Sequence, residues 1–296
     1  MNELLILSRA IHFGSCLVLL SIFAVRLLVE RPRANAGRSA CSLAALCLAL
    51  AAGSGFLWFW AAAAGMYGSG LKDALNVQLF QTVLEQTPPG QVWIVRSCIG
   101  AVLGVLLCFP RGRGRWWLGA LVAAAFTGSL AWLGHAGAGE DGQRVLMLTA
   151  DVFHLMAASF WPAGLLPFAL LLRRTIKAGA LPAAYAAARR FSAMSLITVS
   201  VLAASGLVNA YFLVGSFHAL LATDYGRLLM LKLAFFAAAA TLGAWNLLVH
   251  EPRIETTPGA LGSMARKVWI EAALGAFIIL VVAILGTLPP GSSVGG

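Results

Sequence analysis

Eight apolar stretches, each long enough to cross a bilayer, constrain this chain more than any other feature. They run roughly over 3–28, 39–64, 92–109, 116–134, 146–172, 191–215, 227–249 and 267–288. A helix needs about 20 apolar residues to span the hydrocarbon core, where lipid offers no partner for an unpaired backbone group. The chain is 60% hydrophobic and 11% charged, whereas a soluble domain carries about 25% charged residues. The expectation is an all-α integral membrane protein with eight transmembrane helices, a single polytopic domain over 1–296 whose first partner is the lipid bilayer. The net charge of +10 does not point to nucleic acid, because the basic residues sit in short connections between the spans.

Those connections alternate in charge. One set carries Arg31, Arg33 and Arg38, then Arg111, Arg113 and Arg115, then Arg173, Arg174, Lys177, Arg189 and Arg190, and finally Arg253, Arg266 and Lys267. The other set carries only Lys72 and Arg144, with acids such as Asp73, Glu85, Glu140, Asp141 and Asp224. Basic connections stay cytoplasmic, so both termini are expected on the periplasmic side. The start, MNELLILSRAIHFGSCLVLL, lacks a basic leader and a small-x-small cleavage site, and reads as a retained first span. The last residues, 291–296, read as a short disordered tail. Between about 65 and 91, LKDALNVQLFQTVLEQT has the spacing of a short amphipathic surface helix. The basic connection 173–190 reads as a partly helical cytoplasmic loop.

A weak internal repeat runs through the spans. TPPGQVWIVR (87–96) opens span three and TDYGRLLMLK (223–232) opens span seven, both as Thr-x-x-Gly with a basic residue nine after the Thr. His12 and His154 lie at similar depths in spans one and five, and spans four and eight end as AWLGH and AILGT. The expectation is two parallel four-helix repeats, about 1–135 and about 145–290.

Ionisable residues inside a span are costly and mark functional sites by default. Met147, Asp151 and His154 fall at i, i+4 and i+7 on one helical face, and all three side-chain types can bind a transition metal. The orientation puts His12, His135 and His154 in the outer part of the membrane, with Arg9 and Cys16 on the same face as His12. If the halves pack about a pseudo-two-fold axis, His12 and His154 meet in a central outer site, with His135 at its mouth. Asp151 is either a ligand or the residue that orients an imidazole, unless Arg9 neutralises it. Thioether and thiolate favour Cu(I), and imidazole with carboxylate also suits Cu(II), so a mixed set points to a copper ion. Arg96 and Lys232 are expected to snorkel outward, and Asn209 to hydrogen-bond across helices. Trp161 reads as packing beside a kink at Pro162. His218 reads as a solvated loop residue, and Glu271 as part of a cytoplasmic charge cluster with Arg266 and Lys267. The five cysteines form no CxxC and read mainly as small core residues. Cys47, Cys108, Asn246 and His250 lie nearer the cytoplasm without forming a ladder. No Walker loop, Gly-x-Ser-x-Gly elbow or HExxH occurs, so no enzymatic activity is expected.

These segments resemble the copper resistance protein D (CopD/PcoD) family of bacterial inner-membrane proteins. The matching stretches are RAIHF, LGHAG (133–137), DVFHLMAASFWPAGLLP (151–167), RFS (190–192), SGLVNAYFLVGS (205–216), YGRLLMLKL (225–233) and LGTLPP (285–290). Pro162 departs from the Leu usual after that tryptophan, which implies a bend in span five. The resemblance implies an eight-span, multi-pass component of copper uptake or homeostasis, with motif histidines at His12, His135 and His154. It also implies a separate periplasmic CopC-like copper-binding partner, since the tail here is only GSSVGG. Two other readings stay open: a membrane protein ligating haem b through His12 and His154, with Arg9, Arg96 or Lys232 on the propionates, and a non-transporting scaffold or sensor subunit.

Overall fold

A computed structural model describes residues 2–31, 38–66, 77–109, 112–134 and 141–293. Among them there is no β-strand, and eight helices are long and apolar enough to cross a membrane. Span one is α1 (Asn2–Ala24), extended by a wide π-type turn over Val25–Glu30. Span two is α2 (Arg38–Met66). The short α3 (Val77–Gln86) follows, then α4 (Pro88–Cys108) as span three. Span four is α5 (Arg113–Gly128), tightening into a 3-10 turn over Ser129–Leu133. Span five is divided into α6 (Asp141–Phe160) and α7 (Leu165–Lys177). Span six is α8 (Leu181–Val214), followed by the short α9 (Phe217–Ala222). Span seven is α10 (Asp224–Trp245), continued by a π-type turn over Asn246–His250, and span eight is α11 (Ala260–Leu285).

The spans are not equally buried. In spans one and five 67% of the apolar window is buried inside the protein, and in no other span more than 44%. The two helices that carry His12 and His154 therefore form the bundle interior, where polar side chains avoid lipid. The lipid-facing shell is studded with exposed apolar residues such as Leu121, Ile197, Leu207 and Leu248.

The break in span five follows from its sequence. Pro162 has no N–H to continue the ladder, and Ala163 N reaches instead to Ala158 O at 3.0 Å. At Gly164 a Cβ would run into Phe160 O, so only glycine fits this turn. Across the break, α11 comes so near that a Cβ on Gly275 would lie 2.9 Å from Pro162 O.

The cytoplasmic connection and the tail differ from expectation, and the outer connection matches it. The stretch 173–190 is more helical than the partly helical loop expected: α7 runs to Lys177, a turn at Gly179 (φ 66°) reverses the chain, and α8 starts at Leu181. The alanine-rich run after Pro182 is strongly helix-forming, and the 34 residues of α8 extend about 51 Å at 1.5 Å each, well beyond a bilayer core. In the outer connection, α3 packs Val83, Phe80 and Leu84 on Phe59, Ala63 and Trp93, and the rest of the expected amphipathic segment lies outside the described residues. The expected disordered tail does not begin at 291. Gly291–Ser293 form a 3-10 turn, and Gly291 is buried where a Cβ would lie 3.4 Å from Thr223 Oγ1. Residues 294–296 lie outside the described residues.

Spans three and seven open alike. Thr87 and Thr223 each cap their helix by accepting from the N–H of the glycine three residues on, Gly90 at 3.1 Å and Gly226 at 3.0 Å. Each threonine also donates back to the preceding short helix, Thr87 to Val83 O and Thr223 to Ala219 O. The glycines are required by that close approach, since a Cβ on either would collide with backbone carbonyls of α3 or α9.

Candidate functional site

His12 sits on α1 with 1% of its surface exposed. Its Nδ1 lies 2.8 Å from Ala51 O on α2, so Nδ1–H donates and Nε2 carries the lone pair. That lone pair accepts from Arg96 Nη2 on α4 at 2.8 Å. The ring is wedged against Gly55, where a Cβ would lie 2.9 Å from it, and between Trp58 and Trp93 at centroid distances of 5.5 and 5.1 Å. Arg96 does not snorkel. It is 1% exposed, donates to Phe126 O at 2.8 Å and Ser129 Oγ at 2.6 Å, reaches Cys16 Sγ at 3.6 Å, and lies over the Phe126 ring. Where α5 tightens at Ser129, the Phe126 carbonyl becomes available to the guanidinium.

His154 on α6 has a different setting. Its Nδ1 lies 3.0 Å from Ser205 Oγ on α8, and the Ser205 hydroxyl donates to Val201 O at 2.7 Å. The serine oxygen therefore accepts, Nδ1 carries the hydrogen, and the lone pair is on Nε2. The Leu202 backbone also lies within reach of the ring, and no side chain among the described residues hydrogen-bonds Nε2. Gly206 gives the ring room, with a Cβ there 3.3 Å from His154 Cε1. One turn before it, Asp151 accepts from Asn209 Nδ2 at 3.0 Å. The Gly134 end of span four also lies beside Asp151, since a Cβ there would be 3.5 Å from Oδ2. Lys232 on α10 is near enough for its charge to act on both Asp151 and His154.

Arg9 is not the neutraliser of Asp151. It donates to Gly286 O at 2.7 Å and lies over the rings of Trp58 and Phe13 at 5.0 and 5.5 Å. Met147 is buried on the α6 face that carries Asp151. Trp161 is 2% exposed, packs edge-on against Phe236, and lies at the helix break rather than at His154. His135 lies outside the described residues. His218 is exposed, on the short helix α9 rather than in a loop. Cys16, Cys41 and Cys47 are buried as expected, whereas Cys98 and Cys108 face outward. Among the described residues no three His, Cys, Asp or Glu side chains converge closely enough to hold a metal ion.

Several site residues were missed in the sequence, and one signal would have found them. Ser54-Gly55 and Ser205-Gly206 are matching pairs whose glycines lie against the two imidazoles, and four positions after each serine stand Trp58 and Asn209. Three positions before each histidine stand Arg9 and Asp151. Glu271 was also misread: it is 2% exposed and accepts from Asn246 Nδ2 at 2.6 Å, while Lys267 Nζ lies 2.7 Å from His250 Nε2.

Comparison with known proteins adds a family to this geometry. The model of the copper resistance protein D-like N-terminal domain matches residues 1–146, and that of copper resistance protein D matches residues 185–285. The chain is 28% identical over 234 residues to Copper transport protein CutJ of Bacillus subtilis (strain 168), covering 75% of this chain but 41% of that protein. It is 29% identical to Copper resistance protein D of Pseudomonas syringae pv. tomato, over 71% of each chain. It is 32% identical to Inner membrane protein YebZ of Escherichia coli (strain K12), over 76% of this chain and 77% of that one. No solved structure shows a significant match.

Proposed function

We propose, for a chain that belongs to the copper resistance protein D family and is a multi-pass protein of the bacterial inner membrane, that it carries copper inward. The observation that carries this reading is the state of His154: Ser205 orients its ring, no side chain among the described residues hydrogen-bonds Nε2, and Asp151 stands one turn away in the hold of Asn209. A neutral imidazole beside a carboxylate is a receiving site for a copper ion, either Cu(I) or Cu(II).

In this reading both termini are periplasmic, and the chain is two parallel four-helix halves, about 1–135 and about 145–290. The matching Thr-x-x-Gly caps and Ser-Gly pairs support the halves. A separate periplasmic CopC-like protein delivers copper to a mouth that includes His135. His154 and Asp151 take it, with Met147 on the same face. His12 joins as a ligand only when Arg96 releases its Nε2. The opposing reading, haem b between His12 and His154, needs both Nε2 lone pairs at once, and that of His12 is committed to Arg96.

Cells expressing the chain should accumulate copper above a vector control, and His154→Ala should return accumulation to the control level. Equal accumulation by His154→Ala would overturn the site, and a Soret band in the purified protein would favour haem.

A further inference from the structure

Away from the histidines, between α8, α10 and α11, lies a cavity of about 300 Å³ with a mostly apolar wall. Among the described residues that line it, Glu271 is the one ionisable group, and Asn246 stands beside it. Glu271 is 2% exposed and Asn246 3%. Glu271 Oε1 accepts from Asn246 Nδ2 at 2.6 Å, and Asn246 Oδ1 is buried with no hydrogen-bond partner. On the rim, Leu196 of α8 and Ala244 of α10 are exposed, so the cavity opens sideways between spans six and seven.

An ionised carboxylate in an apolar interior is costly unless a cation pairs with it. None of the ion pairs among the described residues includes Glu271. The charged groups on the elements packed against α11 are engaged or placed elsewhere. From α1, Arg9 bonds Gly286 O and Arg26 bonds Glu30. From α7, Arg174 bonds Glu30, and Arg173 and Lys177 are exposed. On α10, Lys232 lies fourteen residues from Asn246, roughly 21 Å along the helix at 1.5 Å per residue. Glu251 and Arg253 lie beyond His250 in the next turn.

A proton on the carboxyl answers both unpaired oxygens. A protonated carboxyl donates as well as accepts, and so does a primary amide. The bond from Asn246 Nδ2 to Glu271 Oε1 is one side of an acid–amide pair, and a proton on Oε2 has Oδ1 of the same amide as its acceptor. The same two helices pair again one turn on. His250 is four residues after Asn246, Lys267 is four before Glu271, and Lys267 Nζ donates to His250 Nε2 at 2.7 Å. His250 is only half-buried, so this second pair stands between Glu271 and the basic end of the bundle. Asn246 and His250 bound a π-type turn, an irregularity that recurs at functional sites. Ionisable residues within spans also mark proton relays.

We propose that Glu271 and Asn246 form a proton-binding site: the proton resides on Glu271 Oε2, is donated to Asn246 Oδ1, and exchanges with water at the basic end by way of His250. Loaded, the pair is neutral and joined by two hydrogen bonds. Unloaded, it is an anion held by one N–H. The proposal is independent of the copper reading, and its test contains no copper.

The test is infrared difference spectroscopy of the full chain in lipid nanodiscs, between acidic and alkaline buffer. Wild type should show a carboxylic-acid carbonyl band that shifts in heavy water, gives way reversibly to a carboxylate band in alkaline buffer, and is missing from Glu271→Gln. Gln accepts from Nδ2 and donates to Oδ1 at once, so this variant mimics the loaded pair and should keep the acidic thermal midpoint. Asn246→Leu should keep the band but move it to higher frequency, because the acid loses its acceptor. His250→Gln, which still accepts from Lys267, should slow the band's response to a pH jump. A lipid-soluble carbodiimide entering between spans six and seven should label Glu271 in acidic buffer. The acid proton passes to a carbodiimide nitrogen as the carboxyl oxygen adds to the central carbon, and the O-acylisourea rearranges to an N-acylurea read by peptide mass spectrometry. A Glu271→Gln spectrum identical to wild type, or a Glu271 band that alkaline buffer leaves untouched, overturns the site. An unslowed response in His250→Gln overturns the route.

Discussion

Two clusters in this molecule are built on one spacing and end in opposite chemical states. In the first, Arg9, His12, Ser54-Gly55, Trp58 and Arg96 enclose an imidazole whose nitrogens are both occupied. In the second, Asp151, His154, Ser205-Gly206, Asn209 and Lys232 leave one imidazole nitrogen without a side-chain hydrogen bond among the described residues. The partners even cross: Arg9 reaches Gly286 at the end of span eight, and Asp151 lies beside Gly134 at the end of span four. Arg96 has five donors in a fixed fork and fills the first cluster, whereas Lys232 is a flexible point charge that acts on Asp151 and His154 without a hydrogen bond to either ring nitrogen. The difference teaches that equal placement of two histidines does not give them equal surroundings, because the residues on the neighbouring helices decide which lone pair is occupied.

The largest expected effect contrasts the two basic residues. Arg96→Met orphans His12 Nε2 and removes the charge-assisted bonds to Phe126 O, which keeps the Ser129 hydroxyl, and to Ser129 Oγ, so it should destabilise the protein by roughly 3 kcal/mol. Lys232→Met orphans no hydrogen-bonded group among the described residues but withdraws the cation whose charge acts on buried Asp151, so its cost should be the smaller of the two and should be relieved in an Asp151→Asn background. Thermal unfolding in nanodiscs checks both, and equal losses would break the contrast.

Next come the residues three before each histidine. Asp151→Ala should weaken copper binding by about 10–100-fold, the range seen when a group supporting a metal ligand is removed. Arg9→Ala should leave affinity within about twofold, because among the described residues Arg9 bonds Gly286 O, lies over two rings and neighbours Tyr225 rather than the imidazole of His154. Equilibrium binding of both variants would break the contrast if Arg9→Ala lost the greater affinity.

The glycine seats give a smaller effect. Gly55→Ala places a methyl 2.9 Å from both His12 and Trp93, an overpacking that should cost about 1–3 kcal/mol. Gly206→Ala meets only the His154 ring, at 3.3 Å, and should shift copper affinity more than it shifts the thermal midpoint. The smallest effect sharpens the symmetry: Thr87→Ala and Thr223→Ala should each cost about 1 kcal/mol, as lost helix caps do. A marked inequality would mean that the two openings differ energetically despite the same hydrogen bonds.

The spans were legible because lipid leaves helices as the solution for apolar stretches of this length. Asn209 was legible as an interhelical donor for the same reason: a lone amide in a span needs a partner, and Asp151 is the acceptor it finds. Arg96 was misjudged because its acceptors come from α5 and α1, and no periodicity within its own helix announces a carbonyl made available by a 3-10 turn at Ser129. Glu271 was misjudged because Arg266 and Lys267 are near in sequence, whereas the partner it has, Asn246, is set by the packing of α11 on span seven and by a π-type turn. The break at Trp161–Gly164 was legible from Pro162, but its closeness to Gly275 was not. Local chemistry could be read along the chain, and pairings between helices could not.

The most direct test of the unequal histidines is pulsed electron paramagnetic resonance on the Cu(II)-loaded protein in nanodiscs, reading the nitrogen modulation of bound imidazole. The modulation should fall by one imidazole in His154→Ala and stay at the wild-type level in His12→Ala, whose ring is held by Arg96. Retention in His154→Ala with loss in His12→Ala would contradict the account.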